Sequence, residues 1–381
     1  CVITLERALV STTATAAPPA ATATAATVTT APPTVPTVPG APAVPACIFL
    51  FPGEGAHSDQ TDVTALQSSP LWPEVDAAVQ THLGLELKTL LANHLGDHDA
   101  KASPVVTTAI NLLNAARWRE AGHSPTIVLG HSIGEVAAAC AAGMLTIDDA
   151  ILTAHLLGQI GSQLPGGMVH TRLSRDQVDA WSDDELCIAA VNGISADADD
   201  ASMLGVTLCG PSQRVEEWLA AHPDAKRLAP PHPWHHPRFR SLPSVHDGSA
   251  FAALPAARAP VAGGVVFVSA TAAGRLDASY WRDWLTRRVD FFGALERAAR
   301  LADRSCYTIE MGAHPVLTSV SVETLRARGV RVVASGASMR REQADGFWES
   351  QRRTLDAALT AAAGTAASPT SMSAACKPRL P

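Results

Sequence analysis

Short runs of apolar, often β-branched residues alternate along this chain with segments whose apolar residues recur at helical spacing. Such runs predict strands, and they are found at Cys47–Phe51, Ile127–Leu129, Val265–Ser269, Tyr307–Glu310 and Val330–Ala334. Strands separated by helical segments are typical of a mostly parallel sheet that is covered by helices. The pattern therefore predicts an α/β fold.

The stretch Pro104–Ala121 is the most clearly bounded of the predicted helices. Ile110, Leu113 and Trp118 fall on roughly one helical face. Gly122 follows directly and can adopt the left-handed conformation at which helices commonly end. We therefore predict a core helix here.

A different order of elements runs from Gly167 to about Leu228. The predicted strands and helices alternate there as Met168–Leu173, Arg175–Trp181, Leu186–Val191, Val206–Cys209 and Ser212–His222. This order is typical of a ferredoxin-like unit. We predict a ferredoxin-like small subdomain at residues 167–228, inserted between two parts of a large subdomain at residues 47–166 and 229–363.

Both ends of the chain differ in composition from this central region. From Ser11 to Ala46 the sequence is almost entirely Ala, Thr, Pro and Val, without a charged or aromatic residue to build a core. A second stretch follows the helix-like segment Trp348–Ala363 and runs to Pro381. We predict linkers at residues 1–46 and 364–381, as expected for a domain of a longer protein.

Composition narrows the possible functions. The 381 residues are 47% hydrophobic, which suffices for a large core, and the net charge of −7 without a basic block argues against nucleic acid and anionic lipid as partners. The seven scattered cysteines form no C-x-x-C pair, so they predict neither a disulfide framework nor a metal site. No apolar run has the length of a membrane span, and we expect a cytoplasmic enzyme.

The strongest chemical signal is the G-x-S-x-G sequence Gly130–Gly134, which follows an apolar strand and precedes an Ala-rich helix. This context predicts a nucleophile elbow with Ser132 as the nucleophile. The two glycines are needed because a Cβ at either position would collide with neighbouring backbone in so sharp a turn. The serine Oγ then lies at a helix N-terminus, where negative charge is favoured.

A serine nucleophile needs a base, and the chain contains 14 histidines. A lone histidine is more often a structural or surface residue than a catalyst. From the residues alone, the choice stays open among His131, His155, His232, His235, His236 and His314.

Six motifs follow one another between about Ala46 and Ala363. They are Phe51-Pro52-Gly53-Glu54-Gly55, Gly130-His131-Ser132-Ile133-Gly134-Glu135, Ala189-Ala190-Val191-Asn192-Gly193, His232-Pro233-Trp234-His235, Tyr280-Trp281 and Glu310-Met311-Gly312-Ala313-His314-Pro315-Val316-Leu317. In this order they resemble the motif series of malonyl/acyl-CoA:acyl-carrier-protein transacylases, the acyltransferase domains of polyketide and fatty-acid synthases.

This resemblance implies an α/β-hydrolase-like large subdomain with a ferredoxin-like insert. It also implies that Ser132 takes an acyl group from acyl-CoA, with His235 as base, and passes it to the phosphopantetheine thiol of an acyl carrier protein. No tightly bound cofactor and no metal are implied. The first eight residues faintly resemble the last strand of a ketosynthase, which would make neighbouring synthase domains partners in a parent chain.

The same resemblance implies how the catalytic groups are supported. The oxyanion hole would consist of the backbone amides of Ile133 and Glu54, where Glu54 replaces the usual glutamine. Backbone carbonyls, and no carboxylate, would orient His235. The segment that supplies such a carbonyl carries Trp284 where asparagine is usual.

Substrate choice is where the chain departs most from the family pattern. Malonyl-using members hold the free carboxylate with an arginine, and the matching position here is Leu157. The segment Ile147–Met168 contains no arginine or lysine. Because a buried carboxylate without a partner is costly, we expect a monocarboxylic, starter-type acyl group such as acetyl.

The resemblance assigns further substrate-binding positions to His131, Asn192, His232 and Trp234. Trp234 is larger than the Phe or Ser found at its position in malonyl- and methylmalonyl-type members, so branching at the α-carbon should be excluded if the indole faces the pocket. Two alternatives stay open. One is malonyl transfer with a substitute cation such as Arg238, and the other is hydrolysis of acyl groups from carrier proteins.

Overall fold

The computed structural model describes residues 44–195, 202–261, 263–271, 276–341 and 346–366. Most of the predicted N-terminal linker, including the eight ketosynthase-like residues, and residues 367–381 of the predicted C-terminal linker lie outside this range. Among the described residues, no helix is both long and apolar enough to cross a membrane.

The described part alternates helices and strands. The strands are β1 (Ala46–Phe51), β2 (Ile127–Gly130), β3 (Gly167–Ser174), β4 (Cys187–Ile194), β5 (Met203–Gly210), β6 (Lys226–Arg227), β7 (Val266–Val268), β8 (Val289–Asp290), β9 (Ser305–Glu310) and β10 (Arg331–Ala337). The helices are α1 (Val63–Gln67), α2 (Trp72–Leu83), α3 (Leu87–His94), α4 (Ser103–Glu120), α5 (Gly134–Ala141), α6 (Ile147–Gly161), α7 (Arg175–Asp179), α8 (Ser212–Ala221), α9 (Pro243–His246), α10 (Ala278–Thr286), α11 (Phe291–Leu301), α12 (Thr318–Ala327) and α13 (Phe347–Ala366). Two short 3₁₀ turns span Pro237–Ser241 and Ser249–Phe251.

The large subdomain is built on a five-stranded sheet in the order β10-β9-β1-β2-β7. Neighbouring strands pair in parallel throughout, with β1 at the centre. The five predicted strands of this sheet are confirmed. Because the strands are parallel, the loops after β1, β2 and β9 leave the same edge of the sheet, which brings distant motifs together there.

Helix α4 confirms the predicted core helix, and Gly122 behind it has a φ of 93° in the left-handed region. The helix is more deeply placed than its pattern predicts, because every residue from Ser103 to Trp118 is buried. It packs against α5 and α6 as well as shorter helices, so no face of its first four turns is exposed, and its polar residues are buried with the apolar ones. The apolar stripe Ile110, Leu113 and Trp118 predicts that one face of the helix is buried, and it cannot predict that the other faces are buried too.

The inserted unit forms a second five-stranded sheet in the order β6-β3-β5-β4-β8. Strand β5 pairs antiparallel with both β3 and β4, and β6 pairs antiparallel with β3. Along the chain, the elements β3, α7, β4, β5, α8 and β6 follow one another in the ferredoxin-like order. Strand β8 comes from the second part of the large subdomain and pairs in parallel with β4, so a segment outside the insert completes the second sheet, which the sequence did not predict.

Two helices end at residues other than those that the sequence predicts. Helix α7 ends at Asp179, two residues before the predicted Trp181, and α13 continues to Ala366, beyond the predicted Ala363. The continuation of α13 is unsurprising in physical terms because the segment is Ala-rich, and alanine has the highest helix propensity.

Candidate active site

Ser132 lies in the sharp turn between β2 and α5. Its φ is 53°, a left-handed value that a non-glycine residue adopts only under constraint. A Cβ at Gly130 would collide with the backbone of Glu135, and one at Gly134 would collide with the carbonyl of Phe51. Both glycines are therefore required by close backbone contacts, as the sequence predicts for an elbow.

The first turn of α5 is anchored by a buried carboxylate. Glu135 accepts hydrogen bonds from the Tyr280 hydroxyl at 2.6 Å, from the Thr271 hydroxyl at 3.1 Å and from the Ala270 amide. Burial raises the pKa of Glu135, and these donors oppose that shift. The carboxylate thus ties the elbow to the loop after β7 and to α10.

His235 reaches the elbow from a loop more than a hundred residues away. Its Nε2 lies 2.8 Å from Oγ of Ser132. His235 itself has a left-handed φ of 66°, which turns its ring from the loop toward the serine. The structure therefore forms the serine–histidine pair that the resemblance implies.

A backbone carbonyl orients the His235 ring. Its Nδ1 lies 2.7 Å from the carbonyl oxygen of Trp284, so Nδ1 carries the hydrogen and Nε2 is free to accept one from Ser132. The Trp284 indole also donates to the carbonyl of Ser132 at 3.2 Å. Burial lowers the pKa of His235 to about 4, which keeps the ring in its neutral, basic form at neutral pH.

Two backbone amides close to Ser132 are available as donors. Among the described residues, neither the amide of Ile133 nor that of Glu54 donates a hydrogen bond to another group. A Cβ built on Gly53 would lie 3.2 Å from Cβ of Ser132, so the turn that carries Glu54 passes directly beside the nucleophile. These are the two amides that the resemblance assigns to an oxyanion hole.

The loop that carries Glu54 is held by polar side chains from elsewhere in the fold. Asn111 on α4 donates to the carbonyl of Pro52 at 2.9 Å, and Arg341 donates to the carbonyl of Gly55 at 2.7 Å. Sequence reasoning missed both residues. Asn111 sits within an apolar helix, which is the one signal that could have marked it, since a buried amide needs a partner.

The carboxylate of Glu54 contacts the loop that carries His235. Its Oε2 accepts a hydrogen bond from the Trp234 indole and lies 3.3 Å from Nε2 of His232. The side chains of His232 and Glu54 are only 2% and 5% exposed. Within the described part of the chain, the polar contacts of this carboxylate are thus with two side chains of the histidine loop.

Trp234 and Leu157 are both buried on the apolar side of the site. Leu157 is fully buried in α6, and Trp234 belongs to the same apolar cluster. The Trp234 ring packs so closely on Gly161, one turn further along α6, that a Cβ there would collide with it. The indole is thus turned inward against α6. Arg238, the candidate substitute cation, is exposed.

The remaining expected site residues form a second polar pair. Nε2 of His131 lies 2.8 Å from Oδ1 of Asn192, which joins the elbow to β4 of the small subdomain. The Asn192 amide also donates to the Thr207 hydroxyl at 3.3 Å. Elsewhere, Oγ of Ser103 lies 2.9 Å from Nε2 of His57.

The other candidate histidines have different partners. His236 lies 3.0 Å from the carbonyl of Glu185, and His314 accepts from the backbone amide of Arg341 at 3.3 Å. His155 is half-buried on α6. Among the described histidines, His235 is the one that is hydrogen-bonded to Ser132. No group of three or more metal-ligating side chains is placed to bind a metal in the described residues.

Comparison with known proteins agrees with this geometry. Residues 48–218 match the acyl transferase domain family. The chain is also 32% identical over 324 residues to the pikromycin polyketide synthase component PikAIII of Streptomyces venezuelae. The chain contains a domain of the acyl transferase family. The match covers 77% of this chain and 19% of that synthase, so the chain spans about a fifth of this multidomain relative.

Solved acyltransferase domains have the same architecture. The acyltransferase domain from module 8 of the salinomycin polyketide synthase superposes with a TM-score of 0.66 at 27% identity, covering 85% of this chain and 76% of that one. A loading acyltransferase from the avermectin synthase superposes with a TM-score of 0.67 at 23% identity, covering 82% of this chain and all of that one. The predicted fold, an α/β-hydrolase-like large subdomain with a ferredoxin-like insert, is confirmed.

Proposed function

We propose that this acyltransferase domain moves an acyl group from coenzyme A to the phosphopantetheine thiol of a carrier protein through an ester on Ser132. The observation that carries the proposal is the chain of contacts from Ser132 Oγ to His235 and on to the Trp284 carbonyl, at 2.8 and 2.7 Å. It is the arrangement of an activated serine in which a carbonyl replaces the usual third carboxylate.

In the first half-reaction, Oγ of Ser132 attacks the thioester carbonyl while its proton moves to Nε2 of His235. The oxyanion of the tetrahedral intermediate accepts hydrogen bonds from the amides of Ile133 and Glu54. The C–S bond then breaks, and the proton on Nε2 passes to the departing thiolate of coenzyme A. The second half-reaction reverses these steps, with the carrier-protein thiol as the nucleophile.

The backbone carbonyl that orients His235 is compatible with a thioester substrate. A neutral carbonyl at Trp284 fixes the tautomer but stabilises the imidazolium less than a carboxylate would. The low pKa of about 4 that burial gives His235 agrees with this. Because the thiolate is a good leaving group, its expulsion needs little help from a proton.

We further propose a small monocarboxylic acyl group in preference to malonyl. Leu157, at the position of the carboxylate clamp, is fully buried, and Arg238 is exposed. The Glu54 carboxylate would repel a second carboxylate bound nearby. The inward-facing Trp234 ring reduces the space for a branch at the α-carbon.

A competition experiment tests this proposal. The protein is incubated briefly with an equimolar mixture of acetyl-CoA and malonyl-CoA, and the adducts are resolved by intact-protein mass spectrometry. We expect the acetyl adduct to form faster and to disappear when a phosphopantetheinylated carrier protein is added. A predominant malonyl adduct would contradict the proposed donor, and an adduct that decays equally fast without an acceptor would indicate hydrolysis.

A further inference from the structure

Trp284 contacts both members of the serine–histidine pair. It is fully buried in α10, and its carbonyl oxygen accepts the hydrogen bond from Nδ1 of His235 at 2.7 Å. Its indole N–H donates a separate hydrogen bond to the carbonyl oxygen of Ser132 at 3.2 Å. The first contact depends on the backbone alone, whereas the second requires a side chain with a donor.

The Ser132 carbonyl belongs to the same peptide group as the Ile133 amide, which is one of the two proposed oxyanion donors. The peptide is trans, so its C=O and its N–H point in opposite directions. The carbonyl oxygen also accepts from the backbone amide of Glu135 at 2.9 Å. Because two donors hold this oxygen, they restrict rotation of the peptide plane and thereby fix the direction of the Ile133 N–H.

The indole is itself held in place by packing. It meets the rings of His235, Trp234 and Trp281 edge to face, with centroid separations of 4.8, 5.7 and 6.1 Å. One turn earlier on α10, the Tyr280 hydroxyl donates to Glu135 at 2.6 Å. Helix α10 is thus joined to the elbow at two points, and the direction of the indole N–H is set by the fold.

We infer that the Trp284 side chain is a positioning residue for the oxyanion hole. A hydrogen bond to the carbonyl of a peptide polarises the group and strengthens its N–H as a donor. The gain is largest once negative charge has developed on the oxygen that this N–H contacts, so the transition state is stabilised more than the bound substrate. The inference rests on the proposed function, in which the Ile133 amide stabilises the oxyanion.

Substitution separates the two roles of this residue. Trp284→Phe removes the indole N–H and keeps both an aromatic ring and the backbone carbonyl that orients His235. We expect the maximal rate of Ser132 acylation to fall about tenfold, equivalent to about 1.4 kcal/mol, and the half-saturating donor concentration to change less than about twofold. Removing an oxyanion donor itself costs roughly a hundred- to a thousandfold, so the loss should be smaller than that.

Two acetyl donors make the result independent of coenzyme A. With p-nitrophenyl acetate, acylation is followed by the release of nitrophenolate. With acetyl-CoA, it is followed by the intact mass of the protein. Single-turnover rates at increasing donor concentration give the maximal rate and the half-saturating concentration, and the Ser132→Ala protein is the blank for both donors.

Trp281→Phe is the matched control. Trp281 is also fully buried on α10, but its indole nitrogen has no hydrogen-bond partner among the described residues. The same reduction in side-chain volume is therefore made three residues earlier without the loss of a hydrogen bond. We expect both variants to melt at a lower temperature than the wild-type protein, because each leaves a cavity in the core. The maximal acylation rate of Trp281→Phe should stay within about twofold of the wild-type rate.

The pH dependence distinguishes a role in the oxyanion hole from a role in shielding the base. Trp284→Phe keeps the carbonyl that holds His235, so its acylation rate should stay level between about pH 5.5 and 7.5. A decrease of about tenfold with a midpoint near pH 6.5 would mean that the indole acts by burying the histidine, and it would overturn the inference.

The other outcomes are equally decisive. An undiminished maximal rate in folded Trp284→Phe, or an equal loss in Trp281→Phe, would overturn the inference and leave the proposed function intact. A higher half-saturating concentration at an unchanged maximal rate would overturn it too, because the indole would then serve substrate binding. If Trp284→Phe does not fold, benzothienylalanine at this position replaces the N–H by sulfur at nearly constant shape, and the same loss of rate is expected.

The two donors separate failure of this inference from failure of the proposed function. If p-nitrophenyl acetate acylates Ser132 and acetyl-CoA does not, the proposed donor fails, while a tenfold loss in Trp284→Phe with the ester would still support the inference. If neither donor acylates Ser132 in the wild-type protein, the proposed function fails and this inference fails with it.

Discussion

The low pKa of His235 leads to a specific expectation for the pH dependence of acylation. Burial lowers the pKa of this ring to about 4, and its hydrogen bond to Trp284 only partly opposes the shift. The neutral ring is the base, so the acylation rate should rise as pH passes upward through this pKa and stay level above it. Between pH 7.5 and 5.5 the neutral fraction should remain above about 90%.

An unburied histidine would behave differently over the same range. With an ordinary pKa of about 6.5, its neutral fraction would fall roughly tenfold between pH 7.5 and 5.5. The experiment therefore distinguishes a decrease in acylation rate of less than about twofold, expected for the buried ring, from a decrease of about tenfold, expected for an unburied one. Acetyl-pantetheine should be the donor, because it lacks the titratable phosphates of coenzyme A, and the adduct on Ser132 is followed by mass spectrometry.

Stability must be controlled because the same shift couples folding to pH. The pKa of His235 is lower in the folded than in the unfolded chain, so the unfolded chain binds the proton first as pH falls below about 6.5. The stability that is present above pH 6.5 is therefore lost between that pH and about 4, by up to about 1.4 kcal/mol per pH unit. Circular dichroism at pH 5.5 establishes that the protein is still folded. A tenfold decrease in the acylation rate with a midpoint near 6.5, in folded protein, would refute the argument.

Three further variants test the site. His235→Ala should slow acylation by about two to four orders of magnitude, measured as the rate of adduct formation. The control His236→Ala should have a far smaller effect because that ring faces the carbonyl of Glu185; the reverse result would contradict the assignment of the base. Leu157→Arg should raise the ratio of malonyl to acetyl transfer by roughly ten- to a hundredfold, and an unchanged ratio would show that this position does not set donor charge. The same variant should melt at a lower temperature, since its guanidinium replaces a fully buried side chain. Gly134→Ala should prevent stable folding, seen as loss of the cooperative melting transition, because its Cβ would collide with the Phe51 carbonyl.

The elements that sequence predicted well are those set by local pattern. The five strands of the large sheet are short apolar runs, and the elbow is encoded within the five residues Gly130–Gly134. The order of strands in the insert was also readable, because each strand alternates with a helix or a polar turn. The pairing of β8 with β4 could not be predicted, since Val289–Asp290 is too short to carry a pattern.

The partners within the site could not be found by local reasoning. Ser132 and His235 are 103 positions apart, and 14 histidines were available, so only the family resemblance selected one of them. The contact of Glu54 with Trp234 joins residues 180 positions apart. Such contacts are created by the parallel sheet, which gathers its loops at one edge, and by the insertion of the small subdomain between them. No periodic pattern in the sequence indicates these long-range contacts.

If Ser132 carries the acyl group between two thiols, the group can be followed from the serine to an acceptor thiol. The protein is acylated briefly with acetyl-CoA, the excess donor is removed, and free pantetheine or a phosphopantetheinylated carrier protein is added while both species are followed by mass spectrometry. We expect one acetyl group on the peptide that contains Ser132, its loss on addition of the acceptor, and the same mass gain on the acceptor thiol. An adduct on another peptide, or one that forms equally well in Ser132→Ala, would contradict it.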